Sequence, residues 1–214
     1  MSDVYDKYPT IISTAKPPVV VVEVGVGRAE DTGRMVDWII GQKQKYQYLA
    51  FEAEVNNIPE IAQKVGAKVT VINAAVGDAD GFSDFISSGS WPLSGSVKQP
   101  VAHLKSYPWI PWQPPVKVPM IRLDTAAKIH ALEKIDFLWM DVQGAEDLVI
   151  AGGQEILKRT RFAYTEVYET EEYAGQIGLA EILKRLPGRW KVVQQWAGDF
   201  AGNSNVLLSN TTFR

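Results

Sequence analysis

A chain of 214 residues is the size of one α/β domain and can bury roughly 70% of its unfolded surface without outside help. It holds no cysteine, which excludes a disulfide scaffold, a thiolate metal site and a cysteine nucleophile together. A formal net charge of -3 argues against a general binder of nucleic-acid backbones and favours a small or neutral partner.

Residues 1 to 17 are polar and aromatic and close on Lys16-Pro17-Pro18. They fit either a short helix laid against a sheet or a loose lead-in. With neither a basic start nor an apolar core they do not read as a secretory signal, and no apolar run approaches the roughly 18 residues of a membrane span. The expected location is cytoplasmic.

Val19 to Val22 form an unbroken β-branched run, as expected of a strand buried on both faces of a parallel sheet. Gly25 and Gly27 then let the backbone turn sharply and come close to a ligand, where a Cβ would collide. A dinucleotide fingerprint would place a third glycine or an alanine at position 30. This chain has Glu30 there and Glu23 at the strand end. Two carboxylates repel a pyrophosphate and suit a ligand that carries an ammonium and a sulfonium and no phosphate. The expected cofactor is therefore S-adenosylmethionine, held by Glu23, Gly25 and Gly27; a dinucleotide or a bare strand-to-helix turn are the competing readings.

A helix follows, with Val36, Ile39 and Ile40 at helical spacing and Lys43 to Lys45 at its positive-favouring end. Tyr46 to Phe51 reads as the second strand, and Glu52 at its end stands where βαβ cofactor sites put an acid for the ribose hydroxyls; Glu54 competes for that role. Asn56 or Asn57 and Pro59 start the next helix, and Gly66 ends it. Lys68 to Val76 is expected as the third strand. The small residues from Asn73 and Ala74 onward leave room for a flat purine, with Asn73 able to hydrogen-bond it, although a plain strand-to-turn reading is equally open.

Asp80-Gly81 before Phe82 to Ile86 reads as the returning strand of a hairpin. Ser87 to Pro119 then carries seven of the twelve prolines and three of the seven tryptophans. Such a segment cannot be one long helix and is too aromatic for a flexible linker, so about 88–119 is expected to be a lid or acceptor-binding insertion, in which Ser94-Gly95-Ser96 can approach the cofactor. Val116 to Leu123 returns as extended chain, and Asp124-Thr125 cap a short helix through Leu132. Ile135 to Met140 is the fourth core strand, ending at Asp141. A helix interrupted at Gly152-Gly153 leads to a fifth strand, Phe162 to Val167, with Glu166 near its end. A last helix stops at Pro187-Gly188, and Trp190 to Trp196 pairs with Asn205 to Ser209. The alternation predicts an α/β, Rossmann-like single domain over 1–214: a mainly parallel seven-stranded sheet, helices on both faces and an antiparallel edge strand.

The stretch Asp136-Phe137-Leu138-Trp139-Met140-Asp141-Val142-Gln143-Gly144-Ala145-Glu146, preceded by Arg122-Leu123-Asp124 and followed by Ala151-Gly152-Gly153, resembles the FkbM family of methyltransferases. The resemblance covers about Val19 to Leu208. It implies a class I methyltransferase fold and S-adenosylmethionine-dependent O-methyl transfer to a hydroxyl of a sugar, glycolipid or macrolide-like metabolite. It gives Glu23, Gly25 and Gly27 to the cofactor, Glu52 to the ribose, and Asp141 to the point where cofactor and acceptor meet. Two positions depart from the family pattern: Trp139, where lysine is frequent, and Gln143, where an acid is common.

In-line displacement needs the hydroxyl proton removed. Asp141 is the candidate base, or else orients the cofactor's ammonium; His103 is second if the insertion folds over the site. Glu146 is expected to charge its helix start, and His130 to be surface or packing. Asp141 and Glu166 offer hard oxygen ligands on neighbouring strands, but two acids do not specify a cation site, so no metal is expected. The expected partner is a small-molecule or glycan acceptor, with no nucleic acid and no membrane span. The rival classes are a catalytically silent cofactor-binding module and a dinucleotide oxidoreductase.

Overall fold

A computed structural model describes residues 4–91, 93–198 and 202–213. Residues 1–3 of the expected lead-in and residue 92 of the expected insertion lie outside the described residues. In chain order the elements begin with α1 (Val4–Ser13), β1 (Val19–Val24), α2 (Glu30–Gly41), β2 (Tyr46–Phe51), α3 (Ile58–Val65), β3 (Thr70–Ile72), β4 (Ala75–Gly77) and β5 (Gly81–Phe85). After the short α4 (His103–Ser106) come β6 (Val116–Arg122), α5 (Leu123–Ile129), β7 (Ile135–Met140), α6 (Glu146–Gly152), β8 (Thr160–Tyr168), α7 (Leu179–Arg185), β9 (Trp190–Ala197) and β10 (Asn203–Asn210).

Seven strands form one sheet in the order β3-β2-β1-β7-β8-β10-β9. β7 lies at its centre, parallel to β1 on one side and β8 on the other, and β1 is parallel to β2. β10 runs antiparallel to both of its neighbours. The antiparallel strand is thus one place in from the edge, and the edge strand β9 runs with the parallel set. The short step from β9 to β10 allows only a hairpin return, and the α7 crossover leaves one strand's width for β10 to fill.

The valine run follows from the sheet being covered on both faces. Val20, Val22 and Val24 point with Leu49, Phe51, Leu138 and Met140 toward Ala126, Val149 and Ile182 of α5, α6 and α7. Val19 and Val21 point with Tyr48, Ala50, Phe137 and Trp139 toward Ile12, Met35, Val36, Ile39 and Ile61 of α1, α2 and α3. The lead-in is therefore a docked helix where it is described. Ile40, expected on the buried stripe of α2, faces out and is 40% exposed.

The stretch expected as one strand over Lys68 to Val76 is two. β3 ends the main sheet at Ile72, and β4 belongs to a second sheet of order β4-β6-β5. Asn73 makes the break: its Nδ2 donates to the main-chain oxygens of Glu52 (2.8 Å) and Ala53 (3.3 Å). The expected hairpin at Asp80-Gly81 is not made between β4 and β5, because β6 lies between them, parallel to β4 and antiparallel to β5. Asp80 fixes that arrangement by accepting from Arg122 N (2.8 Å) and Thr125 Oγ1 (2.7 Å).

Much of the motif that carries the resemblance is scaffolding. Asp124 lies inside the first turn of α5 and does not cap it; it accepts the amides of Glu155 (3.1 Å) and Ile156 (2.8 Å). Asp136 accepts Val20 N at 2.9 Å, which ties β7 to β1. A Cβ on Gly152 would sit 1.9 Å from Gly77 O, so α6 packs on β4 backbone to backbone.

Candidate active site

The carboxyl ends of β1, β2 and β7 open into a cavity of about 500 Å³, within the range of small-ligand sites. It lies where the strand order reverses, with β2 on one side of β1 and β7 on the other, the place such sheets bind ligands.

The turn after β1 is shaped by its neighbours. Gly25 N donates to Phe51 O (2.9 Å), which extends the β1–β2 ladder by one bond. Gly25 has φ +84°, and a Cβ there would lie 1.8 Å from the carbonyl oxygen of Asp141. The sequence reading assigned that close approach to a ligand; the approaching group is the end of β7. Gly27, at φ +57°, and Gly25 both line the cavity.

Glu52 also lines the cavity, and is only 6% exposed. Its Oε2 accepts Val26 N (3.1 Å) and Gly27 N (2.8 Å), and its Oε1 accepts Glu54 N (2.8 Å). This carboxylate organises the glycine turn from the next strand, and the acceptor capacity left over faces the cavity. Burial raises its pKa, against the backbone hydrogen bonds that lower it. Glu54, its competitor in the sequence reading, lines the cavity too and accepts Asn56 Nδ2 (2.9 Å) and, at 3.4 Å, Asn56 N.

Two sequence-based assignments need correction. Glu23 is not on the cavity wall. Strand alternation turns it to the α2 face, where its Oε1 accepts Thr32 Oγ1 (3.0 Å) and its Oε2 accepts Tyr48 OH (2.6 Å). Burial pushes this carboxyl up to about 7, and the charges of Asp141 and Glu52 add to the rise. Asn73 is likewise off the wall, its amide spent on the end of β2, whereas Ala74 does line the cavity.

The opposite wall begins at Asp141. It is open to the cavity at the end of β7, and its Oδ1 accepts Gln143 Nε2 at 2.6 Å. Its pKa is raised, first by desolvation among the surrounding walls; the Gln143 bond opposes this and the charge of Asp31 assists. Gln143, with φ +52°, also accepts Ser96 Oγ on its main-chain oxygen (2.8 Å) and faces Tyr173 OH through Oε1 (3.1 Å). Ser88, Leu93, Gly95, Ser96 and Val97 of the insertion complete the cavity. The insertion is pinned from beyond β8, where Tyr173 OH reaches Ser94 O (2.8 Å) and Val101 N donates to Glu172 O (2.8 Å), and from α6, where Asp147 Oδ1 meets Lys98 Nζ at 2.6 Å.

His103 is no base for this cavity. It is 4% exposed, stacked on Tyr173 at 5.1 Å and beside Tyr107 at 4.4 Å, away from the cavity wall. Glu166 is also off the wall: Tyr168 OH (2.8 Å) and Asn203 Nδ2 donate to it, and burial, then the Asp141 charge, push it up to about 8. Glu146 opens α6 as expected, yet is 2% exposed, and burial pushes it up to about 7. His130 lies just past α5, half-buried, its main-chain oxygen taking Gln47 Nε2 at 2.9 Å. Trp139 packs edge-on against Tyr164 at 4.7 Å, on the sheet face away from Asp141's neighbours of α6.

The residues that sequence reasoning missed are Gln143 as a bridge, and Asp31 and Arg34 as cavity walls. The last two stand three apart in the first turn of α2 and so share a face. The walls carry the carboxylates of Glu30, Asp31, Glu52, Glu54 and Asp141 against the guanidinium groups of Arg28 and Arg34. An excess of negative charge with a floor of Ala74 and Ala75 fits a cationic ligand with a flat base, and S-adenosylmethionine is such a ligand.

The fold is shared with solved structures. An rRNA methylase from Streptococcus thermophilus matches with TM-score 0.52 at 10% identity, over 98% of this chain and 97% of that one. A precorrin-6y C5,15-methyltransferase from Geobacter metallireducens matches with TM-score 0.51 at 9% identity, over 97% and 87%. At such identities the likeness shows the fold alone. In sequence, the 2-O-methyltransferase NoeI of Sinorhizobium fredii is 37% identical over 204 residues, 92% of this chain and 81% of that protein. The methyltransferase FkbM domain matches residues 25–191, from the glycine turn to the start of β9. A match of that span settles the family: the chain belongs to the FkbM methyltransferases and is an enzyme that uses S-adenosylmethionine as its methyl donor.

Proposed function

We propose that this enzyme transfers the methyl group to a hydroxyl of a sugar, glycolipid or macrolide-like metabolite, with Asp141 as the base. The observation that carries the reading is the carboxylate of Asp141: it opens into the cavity opposite the glycine turn, and one of its oxygens is held by Gln143. Among the described residues nothing donates to its Oδ2. A raised pKa brings such a carboxylate closer to neutrality, where a general base works best. The relative named a 2-O-methyltransferase supports oxygen as the receiving atom.

Gly25, Gly27, Glu52 and Ala74 would hold the donor, and the insertion at about 88–119 would face the acceptor. Trp91 and Leu93 there are 46% and 50% exposed, apolar surface suited to a sugar ring or a macrolide face. In this reading residues 1–214 form one domain, and the insertion is a roof pinned at Ser94, Lys98 and Val101. The acid-rich walls disfavour a polyanionic acceptor such as a nucleic acid. Among the described residues no helix is long and apolar enough to cross a membrane, and a donor made inside cells supports a cytoplasmic location.

When bound, S-adenosylmethionine supplies a methyl carbon made electrophilic by its sulfonium. Asp141 Oδ2 takes the acceptor's hydroxyl proton, Gln143 fixes the carboxylate plane, and the roof excludes water and orients the hydroxyl. Orientation supplies on the order of several kcal/mol of the barrier, and a positioned base typically about 10²–10⁴-fold in rate. Asp141→Asn is expected to lower turnover at least about 100-fold, with donor affinity by calorimetry within about threefold. Turnover is read as labelled methyl transferred to a panel of methyl glycosides, a lipo-oligosaccharide and a macrolide. Unchanged turnover in this variant would remove Asp141 from the chemistry.

A further inference from the structure

We propose that Gln143 is a positioning residue that follows the proton of Asp141, its side-chain amide turning over between the two charge states of the carboxyl while Tyr173 holds the far end. The inference rests on Asp141 as the base, and its geometry is independent of any bound ligand.

The hydrogen-bond count carries it. With Asp141 ionised, Gln143 Nε2 donates to Oδ1 at 2.6 Å. The Tyr173 hydroxyl then stands between two acceptors, Ser94 O at 2.8 Å and Gln143 Oε1 at 3.1 Å, with one proton to give. Rotating the amide by half a turn exchanges its ends. Oε1 then faces Asp141 and accepts from a protonated carboxyl, Nε2 donates to the Tyr173 oxygen, and the Tyr173 proton goes to Ser94 alone. The Tyr173 proton then has one acceptor instead of two, and each end of the amide that faces Asp141 or Tyr173 is paired. A proton first taken on Oδ2 reaches this partner once the carboxyl turns about its Cβ–Cγ bond, which brings the protonated oxygen to the place Oδ1 holds beside Gln143.

The surroundings hold both ends of this linkage. The Gln143 backbone is held in the left-handed region at φ +52°, its oxygen bound by Ser96 Oγ at 2.8 Å. Tyr173 is fully buried and its phenol is pushed well up, first by burial, so its proton is always present. The charged groups facing Asp141 are Asp31 of α2, Glu23 of β1, Glu146 of α6 and Glu166 of β8. Asp31 adds negative charge, Glu23, Glu146 and Glu166, pushed up to about 7, about 7 and about 8, add it only as they ionise, and among the described residues none hydrogen-bonds to Gln143. A glutamate at 143 would lack the donor that the ionised state needs.

The test is NMR of the full chain without acceptor, labelled at aspartate Cγ and at glutamine side-chain nitrogen, with signals assigned by Asp141→Asn and Gln143→Glu. In the wild type the Gln143 amide signals should titrate with the Asp141 midpoint, and amide contacts to the Tyr173 ring should appear only below it. Tyr173→Phe deletes the acceptor of the turned amide, so the Asp141 midpoint should fall by about half a pH unit or more and the amide contacts should stop changing with pH. A side chain that merely packs would move neither. Amide signals that ignore the Asp141 titration overturn the proposal, and this wild-type readout stands even if Tyr173→Phe fails to fold. An inactive Asp141→Asn with a silent Gln143 amide sinks the relay alone, whereas an active Asp141→Asn sinks the base.

Discussion

The two walls of the cavity are built in opposite ways. The wall proposed for the donor, at the ends of β1 and β2, is main chain tied by one carboxylate: Glu52 gathers the amides of Val26, Gly27 and Glu54. The facing wall, at the end of β7 and under the insertion, is made of side chains from distant segments, with Gln143 linking Asp141, Ser96 and Tyr173. Backbone gathered by a single buried carboxylate gives one shape, suited to a cofactor that does not vary. Side chains meeting across loops can be changed singly, which suits the proposed acceptor end. The two walls meet where Gly27 faces Leu93 and, most tightly, where Gly25 lies against the carbonyl of Asp141.

That point is where the comparison breaks most easily. Gly25→Ala places a Cβ 1.8 Å from a main-chain oxygen at a φ of +84°, so either β7 or the turn must move. The expected loss is more than about 4 kcal/mol, read as a collapse of the thermal unfolding midpoint together with loss of donor binding. Next in size is Glu52→Gln. A carboxamide has one acceptor oxygen, so its nitrogen must face either the amides of Val26 and Gly27 or that of Glu54, leaving a buried donor unpaired at about 1–3 kcal/mol. Donor affinity by calorimetry should drop about 10–100-fold while circular dichroism stays native.

The shape of the first wall, a strand, a glycine turn and an acid on the next strand, was legible because it is local. A valine run, two glycines and an acid at the end of the next strand lie within residues 19 to 52, and each has one physical use in a βαβ unit. The other wall was not legible beyond Asp141. Ser94 and Tyr173 stand 79 residues apart, and Ser96 and Gln143 stand 47 apart. No periodicity encodes such pairs. The split of β3 from β4 was hidden for a different reason: strands of three residues are too short to show alternation, and the polar Asn73 in mid-run was the one visible sign. The prolines and tryptophans of the insertion marked it out by composition, but composition could not give the pins that hold it.

Glu23 was misread although the sequence held the answer, and it gives the smallest expected effect on binding. In a strand, residues two apart share a face, so Glu23 goes with Val19 and Val21 toward α2, where Thr32 and Tyr48 supply hydroxyls. Glu23→Gln keeps the shape, and either hydroxyl can turn to accept from the new amide, so donor affinity should stay within about threefold. The change should appear in stability against pH. Burial lifts this carboxyl from an ordinary 4.5 to about 7, so between those values the folded chain holds a proton that the unfolded chain has released, and stability falls as pH rises. The variant lacks that term. Between pH 5 and pH 8 its unfolding free energy in denaturant should fall by on the order of 2 kcal/mol less than the wild type's. The curve should flatten without becoming level, because Glu146 and Glu166, pushed up to about 7 and about 8, keep the same slope. A variant that follows the wild-type curve but loses the donor would put Glu23 back on the donor wall, and the division of labour between the two strand-end acids would be wrong.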